Sequence, residues 1–183
     1  NIDHELIKQF IYSMKMDLDS NKIYDQKDYE KYILGSAEVV GLMCLKVFID
    51  GDENKYNSLS HYAKKLGSAF QKINFLRDVG ADYNDLGRTY FPGIDLSNFT
   101  KQEKIYIEDD IKKDFEEGFI GIKMLPKDAK LGVYLAYIYY LRLFDKIKNL
   151  EPKDILENRV RISNIKKFSI MLISIIKVKF RLV

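Results

Sequence analysis

Only three prolines and ten glycines interrupt 183 residues, and few segments alternate apolar and polar side chains with the period of two that a strand requires. A chain so poor in breakers satisfies its backbone over long stretches most simply as α-helix. Leu6, Ile7, Phe10, Ile11 and Met14 recur at helical spacing and predict a helix over roughly 3–18. Asp19-Ser20-Asn21 reads as a loop. A second, very apolar helix follows from about 28 to 49, carrying Tyr29, Tyr32, Ile33, Val40, Leu42 and Leu45. The turn formers Asp50-Gly51-Asp52-Glu53-Asn54 end it. A third helix is expected over about 58–83, ending before Gly87, and Arg88 to Thr100, with Pro92 and Gly93, reads as an extended connection. Helical patterns resume over 101–117 and 128–149, Pro152 interrupts, and a last helix covers about 165–180. No repeat or linker divides the chain, so residues 1–183 are expected to form one all-α domain without a sheet.

Composition excludes several classes. With 46% hydrophobic and 31% charged residues the chain suits a folded globule rather than a disordered one. A net charge of +3 is too mild to argue for nucleic acid. No stretch approaches the roughly 18 apolar residues of a membrane span, and no signal peptide opens the sequence. The first residue is Asn1 rather than methionine, which leads to the expectation that the sequence begins inside a longer polypeptide. The single cysteine, Cys44, precludes an intrachain disulfide and suits a reducing cytoplasm. It sits in the apolar run from Val39 to Leu45 and is expected to be a small buried hydrophobe. His4 and His61 are far apart and read as surface or cap residues.

Two clusters of small residues interrupt the helical patterns. Gly35-Ser36-Ala37 with Gly41 lie on the second helix, and Gly67-Ser68-Ala69 on the third. A mid-helix glycine costs about 1 kcal/mol relative to alanine, so these positions need a reason. Spacing alone allows two: close packing of helix on helix, or room for an elongated apolar ligand.

The third helix also carries the polar pattern with the most chemical content. At about 100° per residue, Gln71, Asn74, Asp78 and Asp82 share an arc of roughly 80° and form a stripe about 16 Å long. Phe70, Ile73 and Leu76 on its other flanks are core material. Acceptor groups on such a helix need partners, and hard oxygen ligands of this kind suit Mg²⁺, which takes one or two protein carboxylates and completes its shell with phosphate and water. Downstream, Arg88 can clamp a phosphate through parallel hydrogen bonds, with Tyr90 beside it. Magnesium and arginine together would turn a diphosphate into a leaving group, an electrostatic form of catalysis. Asp110 and Asp114 repeat the spacing of Asp78 and Asp82, but among Glu108, Asp109, Lys112, Lys113, Glu116 and Glu117 they read as a solvated face.

The run from Gln71 to Asp82, followed by Gly87-Arg88-Thr89-Tyr90-Phe91-Pro92, resembles the second aspartate-rich motif of the squalene and phytoene synthases. Tyr32 to Gly41 is similar to the family's helix with small residues facing the prenyl channel. Phe10 to Leu18 resembles the short helix that precedes it, and Tyr139 to Ile147 is similar to the family's late helix. The similarity runs through the whole chain in order and is greatest to phytoene synthases of Bacteroidetes-type carotenoid pathways. It implies the C-terminal part of a class I isoprenoid synthase helical bundle, without its N-terminal helices. The implied reaction is the Mg²⁺-dependent, head-to-head condensation of two geranylgeranyl diphosphates to phytoene, through a cyclopropyl diphosphate. Alternatives are a C30 squalene or dehydrosqualene synthase using farnesyl diphosphate, and a non-catalytic member acting as an assembly factor. By the same resemblance Asn74, Asp78 and Asp82 would hold metal, and Gln71 would support the site. Arg77 and Arg88 would meet diphosphate or order its loop, while Tyr90 and Tyr140 would line the site, with Tyr139 the alternative to Tyr140. Ala37 and Gly41 would border the hydrocarbon channel. The implied cofactor is Mg²⁺, or Mn²⁺ in its place, with no NADPH for phytoene.

The family's first aspartate-rich motif has no counterpart before Gln71. Asp3 and Asp17 are isolated, and Asp25 with Asp28 has the wrong spacing, so the chain alone is expected to be inactive. The tail mixes Ile170, Leu172, Ile173, Ile175 and Ile176 with Lys177, Lys179 and Arg181. It reads first as a last helix packed on the bundle and second as a peripheral contact with the inner surface of the cell membrane. The sequence specifies no oligomeric state.

Overall fold

The computed structural model describes residues 2–18, 23–180 and 182–183; the loop expected at Asp19-Ser20-Asn21 lies outside them, as do Asn1 and Arg181. Helix α1 (His4–Met16) starts where the Asp3 carboxylate accepts from the backbone N–H of Glu5. Helix α2 (Gln26–Ile33) runs through a π-helical turn, Leu34–Glu38, directly into α3 (Val39–Phe48). Helix α4 (Glu53–Leu86) is the longest. It begins five residues before the expected start because Asp52 caps it, accepting from the Lys55 N–H. It ends on Gly87, which takes the left-handed φ of 60° that favours glycine. A short 3₁₀ turn, Leu96–Asn98, lies in the connection to α5 (Lys101–Met124). Helix α6 (Lys127–Lys148) returns along the bundle, α7 (Pro152–Glu157) is a short turn, and α8 (Asn164–Lys179) closes the described chain. Pro152 opens α7, since a proline at the first helical position loses no hydrogen bond. No strand occurs among the described residues; one isolated parallel bridge joins Ile23 to Thr89.

Helix α4 is central and packs against α3, α5, α6 and α7, with α1 and α2 on the far side of the π turn and α8 on α6. Its inner face places Ile73 and Leu76 out of solvent against Ile111, Phe115, Leu143 and Ile147 from α5 and α6. An aromatic cluster ties α2 to the loop after α4: Phe75 and Tyr90 stack at 3.9 Å between centroids, and Tyr24 and Tyr32 pack around them.

Three expectations are corrected. Helix α5 continues past Glu117 to Met124, because Gly118 and Gly121 face Leu66 and Tyr62 of α4 so closely that an added Cβ at Gly121 would lie 2.4 Å from the Tyr62 Cβ. The glycines there allow close packing and do not end the helix. Asp114 is not part of a solvated face: it is buried and accepts from Lys65 at 2.9 Å, Ser68 at 2.7 Å and Lys72 at 2.6 Å, while Asp110 is exposed and also takes Lys72. Burial would raise its pKa, but the two ammonium groups and the hydroxyl outweigh that and lower it. Cys44 is exposed, because its side of α3 faces a cavity rather than another helix. His4 and His61 are at the surface, His61 against Glu117.

Candidate active site

The two explanations for the small residues both hold, on neighbouring sides of the same helices. A Cβ on Gly41 would lie 2.4 Å from the Ala63 carbonyl oxygen, and one on Gly67 would lie 2.4 Å from that of Ala37. The backbones of α3 and α4 therefore touch. Beside that contact is a cavity of about 710 Å³, within the range of small-molecule sites. Ala37, Gly41 and Cys44 form one wall, α4 contributes Leu59 to Gln71, and Gly118 and Gly132 line the cavity from α5 and α6, with open space over Gly132.

Gln71 is where the cavity wall ends and the polar stripe begins. One turn on, Asn74 accepts from the Tyr140 hydroxyl at 3.2 Å, and the Tyr140 ring stacks on Phe70 at 4.1 Å. Tyr139 instead lies edge-on to Tyr140 beneath Lys167. Of the two tyrosines, the structure brings Tyr140 to the stripe.

The Asp78 carboxylate lies between two guanidinium groups. Arg77 donates through Nε at 2.9 Å and through a second nitrogen, and Arg159 approaches from the segment after α7 with Nε at 2.7 Å. Asp82, a turn further, is half-buried. Burial and the charge of Asp78 push its pKa up to about 6, with Asp17 adding to them and Arg88 and Arg159 opposing.

Arg88 is buried, donating to the backbone carbonyl of Asp17, lying 3.6 Å from its carboxylate and 3.5 Å from the Tyr90 hydroxyl. Here it orders the loop after α4 rather than projecting as a phosphate clamp. Tyr90 is likewise buried, one ring of the aromatic cluster. Asp17, isolated in sequence, takes the Tyr32 hydroxyl at 2.9 and 3.0 Å and reaches the electrostatic neighbourhood of Asp82.

Sequence reasoning therefore missed Asp17 and Arg159. Each lies far from the stripe along the chain, 71 residues for Asp17 to Arg88 and 81 for Arg159 to Asp78, and neither belongs to a periodic pattern that marks it.

The donor set is hard oxygen, and Asp82 is a carboxylate whose ionisation the fold opposes, which a cation would favour. Among the described residues no three His, Cys, Asp or Glu side chains form a metal-binding group. Asn74, Asp78 and Asp82 are the oxygen donors here that could hold a hard cation such as Mg²⁺, which takes one or two protein carboxylates and completes its shell with phosphate and water.

The sequence profile of the squalene/phytoene synthases matches residues 1–166. The chain belongs to the squalene/phytoene synthase family. Phytoene synthase 1 of Solanum lycopersicum is 27% identical over 164 residues, covering 80% of this chain and 40% of that protein. The 15-cis-phytoene synthase of Synechococcus elongatus is 28% identical over 170 residues, covering 80% of this chain and 55% of the relative. This squalene/phytoene synthase family chain thus spans about half the length of these curated relatives or less. The crystal structure of a dehydrosqualene synthase superimposes with a TM-score of 0.74 at 22% identity, over 97% of this chain and 66% of the other. A squalene synthase from Alicyclobacillus acidocaldarius does so at 0.68 and 21%, over 81% of this chain and 60% of the other. The fold is the class I isoprenoid synthase helical bundle, and the family is of prenyltransferase type.

Proposed function

We propose that this chain forms one side of the active site of a phytoene synthase, which joins two geranylgeranyl diphosphates head to head through a cyclopropyl diphosphate. The observation that carries this reading is the continuity of α4: the helix that lines an apolar cavity as far as Gln71 goes on to present Asn74, Asp78 and Asp82. A prenyl diphosphate has the same layout, a hydrocarbon tail and a head with up to three negative charges. The curated relatives named as phytoene synthases support phytoene as the product, and geranylgeranyl diphosphate is the substrate this proposal assigns to it.

Asn74, Asp78 and Asp82 are assigned to Mg²⁺, or Mn²⁺ in its place, with Gln71 supporting them. Bound there, the ion would neutralise the departing diphosphate. Arg77 is assigned to the diphosphate, exchanging its contact with Asp78 for phosphate oxygens. Arg88 holds the loop and Tyr90 in place through Asp17. Ala37 and Gly41 keep the wall low for the hydrocarbon, and the apolar lining keeps water from the allylic cation. Phe70 and Tyr140, stacked where cavity meets stripe, offer aromatic faces to that cation. The compartment is reducing and cytoplasmic, and no NADPH is required. The motif expected to face this stripe is absent from the chain, and the chain by itself is proposed to be inactive.

The test is a product assay on the full polypeptide carrying this chain, with Mg²⁺ and either geranylgeranyl or farnesyl diphosphate, without nicotinamide. Mass spectrometry of the organic extract should show a C40 triene from the former, lost in Asp78→Asn. A C30 product from farnesyl diphosphate alone would replace the substrate assignment. No product from either, with the protein folded, would favour an assembly factor.

A further inference from the structure

One buried carboxylate holds three turns of α4. Asp114 on α5 is 2% exposed, and its two oxygens accept from Lys65 at 2.9 Å, Ser68 at 2.7 Å and Lys72 at 2.6 Å. These donors lie on successive turns and span about 10 Å of the helix axis. Lys72 also reaches the exposed Asp110, one turn back along α5. Tyr29 of α2 and Glu38 of the π turn lie within electrostatic reach of the same carboxylate. Stability alone explains little of this, since a buried ion pair is often no more stabilising than well-packed apolar side chains of similar size. Directional hydrogen bonds supply what hydrophobic burial does not, a fixed position of one helix on another.

The clamp sits at the level where position matters. Lys72 follows Gln71, at which the cavity wall gives way to the polar stripe, and Asn74 lies two residues further on. On α5, Gly118 and Gly121 line the cavity one and two turns beyond Asp114. Neither glycine has a side chain to interlock with α4, although the helices approach closely there: an added Cβ on Gly118 would lie 3.0 Å from the Leu66 Cβ. On the prenyl diphosphate reading, on which this inference rests, α4 holds the head through its stripe, while α5 and α6 hold part of the tail. The bond that breaks lies between the two. It is the bond from the allylic carbon to oxygen, and its electron pair leaves with the diphosphate. A slip of α4 along α5 would separate the supports of a single substrate.

We propose that Asp114 is a positioning residue for this ionisation. It is not among the residues lining the cavity, and its hydrogen bonds go to none of Gln71, Asn74, Asp78 and Asp82. It acts through α4, whose level against α5 it sets. A misplacement of about 1 Å costs on the order of 100-fold in rate, so the effect falls on turnover while head and tail still bind.

The test is steady-state kinetics on the full polypeptide carrying this chain, with Mg²⁺ and geranylgeranyl or farnesyl diphosphate, alongside thermal melts of the same samples. Wild type is compared with Asp114→Asn, with Lys65→Met/Ser68→Ala, which keeps the Lys72 pair, and with Ser68→Ala/Lys72→Met/Asp114→Leu, which makes the centre apolar. Assayed well below its Tm, Asp114→Asn should lower kcat by about 10–100-fold with KM within about twofold of wild type. Lys65→Met/Ser68→Ala should lower kcat by about tenfold at a Tm near that of wild type. The triple variant should regain the wild-type Tm without regaining kcat. Recovery of kcat together with Tm would overturn the proposal, because the role is then stability alone. Should the triple variant not fold, Lys65→Met/Ser68→Ala decides, and a wild-type kcat there overturns the proposal equally. A wild type that makes no product from either substrate removes the prenyl diphosphate reading and this inference with it, whereas an active wild type matched by its variants removes this inference only.

Discussion

Asp82→Asn is expected to stabilise the metal-free chain while removing a residue proposed for metal binding. The fold raises the Asp82 pKa from 3.8 to about 6, through burial first and the neighbouring Asp78 charge second. The folded state therefore holds this proton over a range where the unfolded chain has released it. Stability from this group is greatest below about pH 4 and declines as pH rises through about 6, beyond which the full cost of the buried charge is present. At about 1.4 kcal/mol per pH unit the shift sets an upper bound of about 3 kcal/mol, which solvent reaching this half-buried group screens to about 1–2 kcal/mol. Asparagine has nearly the shape of the protonated acid and never ionises, so it escapes the cost. For a domain of this size the gain corresponds to about 2–8 °C in Tm. Thermal melts followed by circular dichroism in chelator, compared across pH, should show the variant well above wild type at about pH 8 and the two converging near pH 4. A variant melting at or below wild type at the higher pH would refute the reasoning. So would an advantage that does not change with pH.

Asp114→Asn should act in the opposite direction, costing about 2–3 kcal/mol because Lys72 loses its buried partner and keeps only the exposed Asp110; denaturant melts should show Lys72→Met costing less once Asp114 is already changed. Gly67→Ala should destabilise by about 1–2 kcal/mol despite alanine's better helix propensity, since the new methyl would meet the Ala37 carbonyl, and a fall in Tm checks it. Arg159→Ala frees one side of Asp78 and should tighten Mn²⁺ binding several-fold in titration calorimetry while weakening the binding of inorganic diphosphate. The double variant Phe70→Leu/Tyr140→Leu should retain substrate affinity and lose turnover in the full polypeptide, if the stacked rings serve the cation rather than the ground state.

Helices, cavity wall and stripe were legible in sequence because each rests on periodicity along one element. Gln71, Asn74, Asp78 and Asp82 fall on one face of α4 by arithmetic alone, and the small residues needed only the geometry of α3 against α4 to become both a contact and a lining. What stayed hidden depends on distant segments meeting. Asp17 looked isolated because its partners, Tyr32 and Arg88, come from two other places in the chain. Arg159 lies in an irregular segment with no period to read. Asp114 was misjudged for a related reason: its own neighbours on α5 are charged, but the groups that bury it belong to α4. Local composition describes the surroundings along a helix, whereas burial is decided across the interface.

The π turn at Leu34–Glu38 has a consequence for how this wall can evolve. Such a turn takes in one residue more than an α-helix does, and it lies between the half of the helix that fills the core with Tyr32 and Ile33 and the half that borders the cavity with Val40, Gly41 and Cys44, Ala37 itself lying within the turn. Loss of one codon within it would restore ordinary winding and leave the rest of α3 facing as it does, because the wider turn takes up its extra residue within one full circle. Point mutation has no such freedom at Gly41, where the Ala63 carbonyl leaves no room for a larger residue. The wall therefore tolerates a change of length at this turn more readily than a change of side chain at Gly41, and neither touches Asn74, Asp78 and Asp82 on α4.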